Sequence, residues 1–428
     1  MQELLNRARC VADQAEVYKS QTKQESVSFQ ASKLKEITST EEEAWTLRLI
    51  KDKKLGAATS TKPGATEVLL QYATNTVSFG SPINYSLPGA AELQAPRTFD
   101  PRVTSVSQQE MLDIAGDLVS ALNSFDPMVK AMAAVQKATG SRSLLNSAGF
   151  LGTTEFTNWT VYFGGELVND DGFLNVYDGF SGTDYTTETT RLKEKVIESF
   201  RLARTVATIK SGQYPVIFTP GEVSCLVNPL LACLNGKAIS RGFSPFKDKI
   251  GEQAFDSRFS VIDDAQVNGA VGSKSFDREG IATARRTLVT SGRINGYMLD
   301  LQTSQELGMS PTGNGSTAGP VANNIIVPGG DASFEQMLAS IDEGVLIDGT
   351  MGAWAGNPYG GQVSGNISLG YKIEKGKIVG RIKDCMFSVN VFTDLRDNLA
   401  ALSHDQLWRG NFCFPYIQLN NINISTKS

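Results

Sequence analysis

The chain has 428 residues, of which 20% are charged, with 40 basic and 45 acidic side chains. This length suits two or three domains with a sizeable core. A formal net charge of −5, without a long block of like charges, argues against nucleic-acid binding, which usually needs a basic patch or stripe.

The N-terminal part is predicted to combine helices with short strands. Residues 1 to about 20 show the apolar periodicity of an amphipathic helix. Apolar residues that alternate with polar ones around Val27 and around Trp45 predict strands. A second helix is expected from about 64 to 78. Four prolines within 82–101 predict an extended connector.

The middle part is predicted to be an antiparallel sheet between two helices. Helical periodicity runs from Ser107 to Ala138, and the alternation typical of a sheet runs from Ser141 to about Asn175. A long helix is expected from Thr186 to Ile209. Its Lys195 is expected to stay in solvent.

From about 213 onward the chain is predicted to be mostly strands and turns. The apolar run Tyr214–Phe218 predicts a buried strand. Thr219-Pro220, with Glu222 close behind, predicts a helix start, because a hydroxyl cap, an early proline and a carboxylate all suit the first turn. Asn235-Gly236 predicts its end. The apolar face of this helix contains Leu226, Leu230, Leu231 and Leu234.

Two hairpins, which turn at Ser291-Gly292 and at Lys375-Gly376, complete the pattern. Together these elements predict an α+β fold. We expect an N-terminal helix-plus-hairpin domain at 1–80, a middle α+β domain at 81–210, and a strand-rich antiparallel C-terminal domain at 211–428.

Compartment and membrane contact can also be predicted. No apolar run is long enough to span a bilayer, and the N-terminal stretch lacks the apolar core of a signal peptide. The odd number of cysteines predicts reduced thiols. We therefore expect a cytoplasmic protein that contacts neither a membrane nor nucleic acid. The cysteines are Cys10, Cys225, Cys233, Cys385 and Cys413.

Several polar motifs suggest chemistry, but each has a simpler interpretation. The glycine-rich Thr312–Gly319 segment lacks the spacing of a phosphate-binding loop, so a flexible loop is favoured. Asp263 and Asp264 are adjacent on a strand and are expected to point to opposite faces. Arg285 and Arg286 are expected either to hold a peptide carboxylate or to pair with the acidic groups of residues 277–279. The only histidine, His404, is expected beside a polar turn.

The order of motifs in the C-terminal half resembles the TldD/TldE family, whose second member is also called PmbA. The predicted strand and proline-capped helix are followed by Gly251-Glu252-Gln253 and Val261-Ile-Asp-Asp264. Each motif is weak alone, but their number and order support the resemblance. Further matches are Asp277-x-Glu279-Gly280-Ile281, Thr312-Gly-Asn-Gly315, Gly330-Asp-Ala-Ser333, Glu343-Gly-Val-Leu346 and Trp408-Arg-Gly410.

In TldD-type members of this family, the helix after the strand carries His-Glu-x-x-x-His. The two imidazoles hold zinc, and the glutamate serves as general base. The same helix here is Leu226-Val-Asn-Pro-Leu-Leu-Ala-Cys-Leu234, without a histidine. The resemblance therefore implies the metal-free TldE branch, with no catalytic residue and no metal ligand in this chain. Zinc is expected only in a TldD-like partner.

The family resemblance implies a dimer, formed with a TldD-like subunit or with a second copy of this chain. The active subunit would cut unfolded peptides that bind by strand addition, and this chain would form the opposite wall of the cavity. Asn228 and Pro229 are expected to face that cavity. The candidates for contact with the peptide are Asn228, Pro229, Arg285, Arg286, Thr312, Gly313 and Asn314.

Two other functions remain open at this stage. One is a stand-alone homodimeric hydrolase with an unrecognised metal-free site. The other is a protein-binding modulator in the cytoplasm, which the family's older label, modulator of DNA gyrase, suggests.

Overall fold

A computed structural model of the chain describes residues 1–62, 64–169, 172–353 and 356–426. It contains a six-stranded antiparallel sheet and an eleven-stranded mixed sheet, with helices packed against both. The predicted α+β fold is confirmed. Within the described ranges, no helix is both long enough and apolar enough to cross a bilayer.

The first sheet takes strands from both sides of the predicted boundary at residue 80. Its strand order is β3-β2-β1-β4-β5-β6, and β1 pairs with β4 along most of its length. This shared sheet does not decide where the first two predicted domains divide, and the boundary at residue 80 stays a prediction. The elements are α1 (Gln2–Ala8), β1 (Gln14–Gln30), β2 (Lys33–Lys51), β3 (Lys54–Ser60), α2 (Thr66–Val77), α3 (Pro101–Ser105), α4 (Gln108–Phe125), β4 (Lys130–Asn146), β5 (Leu151–Asn169), β6 (Gly172–Gly182) and α5 (Thr190–Ala203).

Two of the predicted helices extend too far along the chain. The helix expected to reach about residue 20 ends at Ala8, because the segment from Gln14 pairs with β2 and β4 and buries Ala15 and Val17. The helix expected to reach Ala138 ends at Phe125. In both segments the pairing of distant strands outweighs local helix propensity, which is worth less than 1 kcal/mol per residue.

The second sheet contains a closed ring of five strands in the order β7-β12-β13-β15-β17. Most of its pairs are antiparallel, as predicted, but β7–β12 and β11–β17 are parallel. Helix α6 follows β7 directly and packs into the adjacent apolar core. The elements are β7 (Gly212–Phe218), α6 (Ser224–Cys233), α7 (Gly236–Ser240), β8 (Val261–Asp264), β9 (Arg285–Thr290), β10 (Arg293–Ile294), α8 (Leu301–Leu307), β11 (Ile325–Ile326), α9 (Phe334–Ala339), β12 (Glu343–Met351), β13 (Gln362–Glu374), β14 (Lys377–Arg381), β15 (Cys385–Asn390), α10 (Val391–Asp397), β16 (Leu399–Arg409) and β17 (Phe412–Thr426).

One face of β4, β5 and β6 packs against α4 and α5, while the other face stays open. Trp159 and Phe163 of β5 are buried on the covered face, whereas Tyr162 between them is 56% exposed. On the open face, aromatic rings lie directly over glycines of the neighbouring strand. A Cβ at Gly179 would be 2.6 Å from the Tyr162 ring. This open face forms one wall of the cavities described below.

A group of charged side chains connects the first sheet to the C-terminal half. The Glu16 carboxylate is fully buried, and its Oε1 accepts hydrogen bonds from Arg48 Nη1 at 3.3 Å and Arg278 Nη1 at 3.0 Å. Arg48 Nη2 lies 3.8 Å from a Glu279 oxygen and donates to the Tyr85 hydroxyl. We call these five residues the buried charge cluster. It fixes β1 and β2 to the loop at 277–281.

The buried charge cluster makes stability depend on pH. Burial raises the pKa of Glu279 from 4.5 to about 7, although Arg48 acts in the opposite direction. The folded state therefore binds more protons than the unfolded state between these two values, and stability falls as the pH rises through them. A glutamine at position 279 stays neutral at every pH. The free energy of unfolding of Glu279→Gln, relative to that of the unsubstituted chain, should therefore increase by up to about 3 kcal/mol from about pH 5 to about pH 8.

Urea unfolding of both proteins across this pH range measures the difference. Glu306→Gln, which changes an exposed glutamate on α8, is the matched control and should show no comparable trend. A difference in the free energy of unfolding between Glu279→Gln and the unsubstituted chain that does not change with pH would contradict the prediction.

Candidate functional site

A cleft of about 480 Å³ lies between the open face of the first sheet and the C-terminal half. Strands β5 and β6 form one wall, and the segment that leads from β7 into α6 forms part of the other. We call it the interlobe cleft. Its lining includes Tyr162, residues 177–181, Lys195, residues 219–222, Asp348 and residues 409–412.

Two ion pairs cross the interlobe cleft. Arg409 Nη2 lies 2.8 Å from an Asp178 oxygen, and Lys195 Nζ lies 2.7 Å from Asp348 Oδ2. Burial raises the pKa of Asp178, and the Arg409 guanidinium opposes this effect. Lys195, which was expected to stay in solvent, is thus tied to β12. The pairs join α5 and β6 to the C-terminal half and keep their charges balanced.

Glu222 is the third acidic residue in the lining of the interlobe cleft, besides Asp178 and Asp348. Its Oε2 accepts a hydrogen bond from the Thr350 hydroxyl at 2.6 Å, and burial raises its pKa. Glu222 lies in a turn that precedes α6, which begins at Ser224 rather than at the predicted Thr219-Pro220 start.

The predicted contacts on α6 lie outside the interlobe cleft. Asn228 is exposed, Pro229 is buried, and neither lines the cleft. Contact of this segment with a peptide stays a prediction.

Four of the other predicted contacts are brought together, in a tight network around Asp263. Asn314 Nδ2 donates to Asp263 Oδ2 at 2.6 Å, and the Thr312 hydroxyl lies 2.6 Å from Asn314 Oδ1. Gly313 has φ +76°, which favours glycine. Arg286 Nε donates to the Thr312 carbonyl at 2.9 Å. These hydrogen bonds connect the loop to β8 and β9, and its contact with a peptide stays a prediction.

Arg285 pairs with Asp264 at 3.2 Å and is otherwise exposed. The expected pairing of Arg285 or Arg286 with the acidic groups of 277–279 is therefore wrong. Asp277 instead accepts backbone N–H groups of Glu279, Ile281 and Gly315, because its loop folds tightly around it.

The side chains near α6 do not fit a zinc site. In the described parts of the chain, no group of three or more histidine, cysteine, aspartate or glutamate side chains has the arrangement of a metal site. Burial raises the pKa of Cys233 to about 12 and that of Cys225 still further, so both thiols stay protonated. His404 is exposed and contacts Asp405 and the Ala332 carbonyl. It lies within strand β16 rather than beside the polar turn that was expected.

Sequence reasoning did not identify the residues of the interlobe cleft. The Lys195–Asp348 and Asp178–Arg409 pairs are separated by 153 and 231 positions in the chain. No local pattern indicates such contacts. The one available signal was Glu222, which was assigned only to the first turn of a helix.

Comparison with known proteins decides the family. Residues 211–426 match the model of the PmbA/TldA metallopeptidase C-terminal domain, and residues 15–71 match that of domain 1. The chain belongs to the PmbA/TldD metallopeptidase family. The resemblance deduced from the motifs is confirmed.

Proteins that are similar in sequence differ in how much of their length aligns with this chain. A metalloprotease of Methanothermobacter thermautotrophicus is 23% identical over 93% of this chain and 90% of its own length. An uncharacterized protein of Methanocaldococcus jannaschii is 28% identical over 66% of each chain. The chain spans 54% of the length of a metalloprotease from that organism.

TldE from Thermococcus kodakarensis has the same fold, with a TM-score of 0.92 and 20% identity over 99% of both chains. The same fold therefore extends over nearly the whole of both chains.

Proposed function

We propose that this chain is the non-catalytic subunit of a TldD-type zinc metallopeptidase that acts on unfolded peptides in the cytoplasm. It pairs with a TldD-like subunit and forms the wall of the peptide cavity opposite the zinc. The observation that carries the proposal is the composition of α6. At the position where an active subunit has His-Glu-x-x-x-His, this helix has Asn228, Pro229 and Cys233.

The interlobe cleft supports a role in holding peptide rather than cutting it. Tyr162 and Tyr177 expose large aromatic surfaces on an open sheet face, and such rings can pack against peptide side chains. The nearby charges of Asp178 and Lys195 are compensated by Arg409 and Asp348.

Metal content and cleavage of an unfolded peptide test the proposal. We expect this chain alone to bind no stoichiometric zinc and to cleave nothing, whereas its mixture with a TldD-like subunit cleaves the peptide. Cleavage by the lone chain in the presence of a chelator would instead support a stand-alone hydrolase. Tight binding of a folded protein, without any effect on a TldD-like subunit, would support a modulator.

Variants of the cleft refine this test. The double variant Tyr162→Ser/Tyr177→Ser should lower kcat/KM of the mixture about three- to tenfold, because aromatic packing contributes about 0.5–1.5 kcal/mol. Tyr72→Ser removes an equally exposed tyrosine from α2 and should leave kcat/KM unchanged. Equal effects of the two variants would contradict a specific role of the interlobe cleft.

A further inference from the structure

A second cavity, of about 200 Å³, lies beside the buried charge cluster. The first sheet contributes Tyr18, Arg142 and Phe156 to its lining, and the loop before β9 contributes Lys274 and residues 276–278. We call it the basic cavity. It is separate from the interlobe cleft, since the lining residues of the two do not overlap.

The basic cavity has a surplus of positive charge. Arg142, Lys274 and Arg278 line it, and Asp277 is the acidic side chain among the described lining residues. The two oxygens of Asp277 already accept three backbone N–H groups, the shortest of them from Gly315 at 2.6 Å. One end of the Arg278 guanidinium is paired, because its Nη1 donates a hydrogen bond to the Glu16 carboxylate. The net charge of the lining side chains is therefore positive.

Several donors in the basic cavity have no acceptor in the described parts of the chain. Arg278 Nη2 and Thr154 Oγ1 are buried without a hydrogen-bond partner among the described residues. Lys274 is partly buried, and among the described residues its ammonium group makes no hydrogen bond and no ion pair within 4.0 Å. Burial lowers the pKa of Lys274, and the more distant carboxylates of Asp277 and Asp263 oppose this effect. Unpaired buried donors are costly, so a ligand that accepts hydrogen bonds would be strongly favoured here.

Aromatic rings hold both guanidinium groups in position. Arg142 lies over the Phe156 ring at 4.5 Å, and Arg278 lies over the Tyr18 ring at 3.8 Å. Stacking on a ring leaves the N–H groups at the edge of the guanidinium plane available for an oxyanion. Phe276 adds an apolar wall next to these charges.

We propose that the basic cavity binds a small organic ligand that carries one oxyanion and one apolar or aromatic group. The oxyanion is held by Lys274 and Arg142 beside the Arg278 guanidinium, and the apolar group packs against Phe156 and Phe276. The volume admits one small molecule or one terminal residue of a peptide. This binding goes beyond the proposed subunit function, because it needs neither a partner nor peptide cleavage.

Calorimetric titration of the full chain, without a partner, tests the proposal. The probes are N-acetyl-L-phenylalanine, its uncharged amide and phenyl phosphate. We expect the acid to bind one to one, and the amide to bind at least about tenfold more weakly, since it offers no charge to the three cations. Tighter binding of phenyl phosphate would also support an oxyanion site and would identify phosphate as the preferred head group.

Two substitutions locate the binding. Arg142→Gln removes the charge of an exposed side chain, and Lys274→Met removes the ammonium group and keeps a side chain of similar length. Each should weaken binding of the acid about tenfold. Arg9→Gln, at an exposed arginine that follows α1 and does not line this cavity, should have no effect. Equal affinity for acid and amide, no binding at about 10 mM probe, or unchanged affinity in both variants would overturn the proposal.

Discussion

Glu16→Gln is expected to destabilise the fold by about 3–5 kcal/mol. The substitution removes the one carboxylate that is hydrogen-bonded to both Arg48 and Arg278. Both guanidinium groups are nearly buried, with 10% and 13% of their side chains exposed, so water cannot replace the lost charge. Glu279 remains, but it lies 3.8 Å from Arg48 and carries a pKa near 7.

Chemical denaturation at neutral pH measures this effect. Glu67→Gln is the matched control, because it removes the same group from an exposed ion pair with Arg7 and should change the unfolding midpoint far less. The quadruple variant Glu16→Leu/Arg48→Met/Arg278→Met/Glu279→Gln should recover much of the stability lost in Glu16→Gln, since none of the four charges of the cluster then remains buried without a partner. A loss below about 1 kcal/mol in Glu16→Gln would mean that the cluster is hydrated and does not tie the two halves together.

The buried charge cluster also bears on the basic cavity. Arg278 belongs to both, with Nη1 directed to Glu16 and Nη2 unpaired beside the cavity. Glu16 thus fixes the guanidinium that the proposed ligand would contact. In Glu16→Gln, binding of the acid probe is expected to weaken together with stability, whereas Arg142→Gln should weaken binding alone.

Local signals in the sequence predicted those elements that local interactions determine. The strand Tyr214–Phe218 was correctly placed because a run of apolar residues favours burial whichever strands it pairs with. The hairpin at Lys375-Gly376 was correctly placed because its turn has a positive φ at both residues, which turn sequences of this type favour. The long strand β1 was mistaken for a helix in its first part. Its residues are stabilised by β2 and β4, and β4 lies more than 100 positions away.

The candidate site was predictable only in part, for the same reason. The absence of histidine from α6 is a property of the sequence and needed no structure. The interlobe cleft and the basic cavity depend on charges that meet across the two halves, such as Arg278 and Glu16, which are 262 positions apart. Charged residues occur throughout any surface, so their type alone does not indicate which of them meet.

Writing the zinc motif into α6, as Asn228→His/Pro229→Glu/Cys233→His, is expected to destabilise the protein by at least about 3 kcal/mol and to give no stoichiometric zinc binding. Cys233 is fully buried, and its thiol lies 3.5 Å from the Pro358 carbonyl, so a larger imidazole overpacks this site. A glutamate at 229 would place a charge in the core that contains Leu226 and Leu230.

Urea unfolding and zinc analysis after dialysis measure both outcomes. Asn228→His alone is the control, because its side chain is exposed and a surface change should alter stability by less than about 0.5 kcal/mol. One zinc ion per chain at native stability would show that α6 still has the geometry of a metal site, and would contradict the proposed structural role. A destabilised variant without zinc would mean that the packing around Pro229 and Cys233 excludes the site. Restoring catalysis would then require a rebuilt core as well as the three zinc-motif residues.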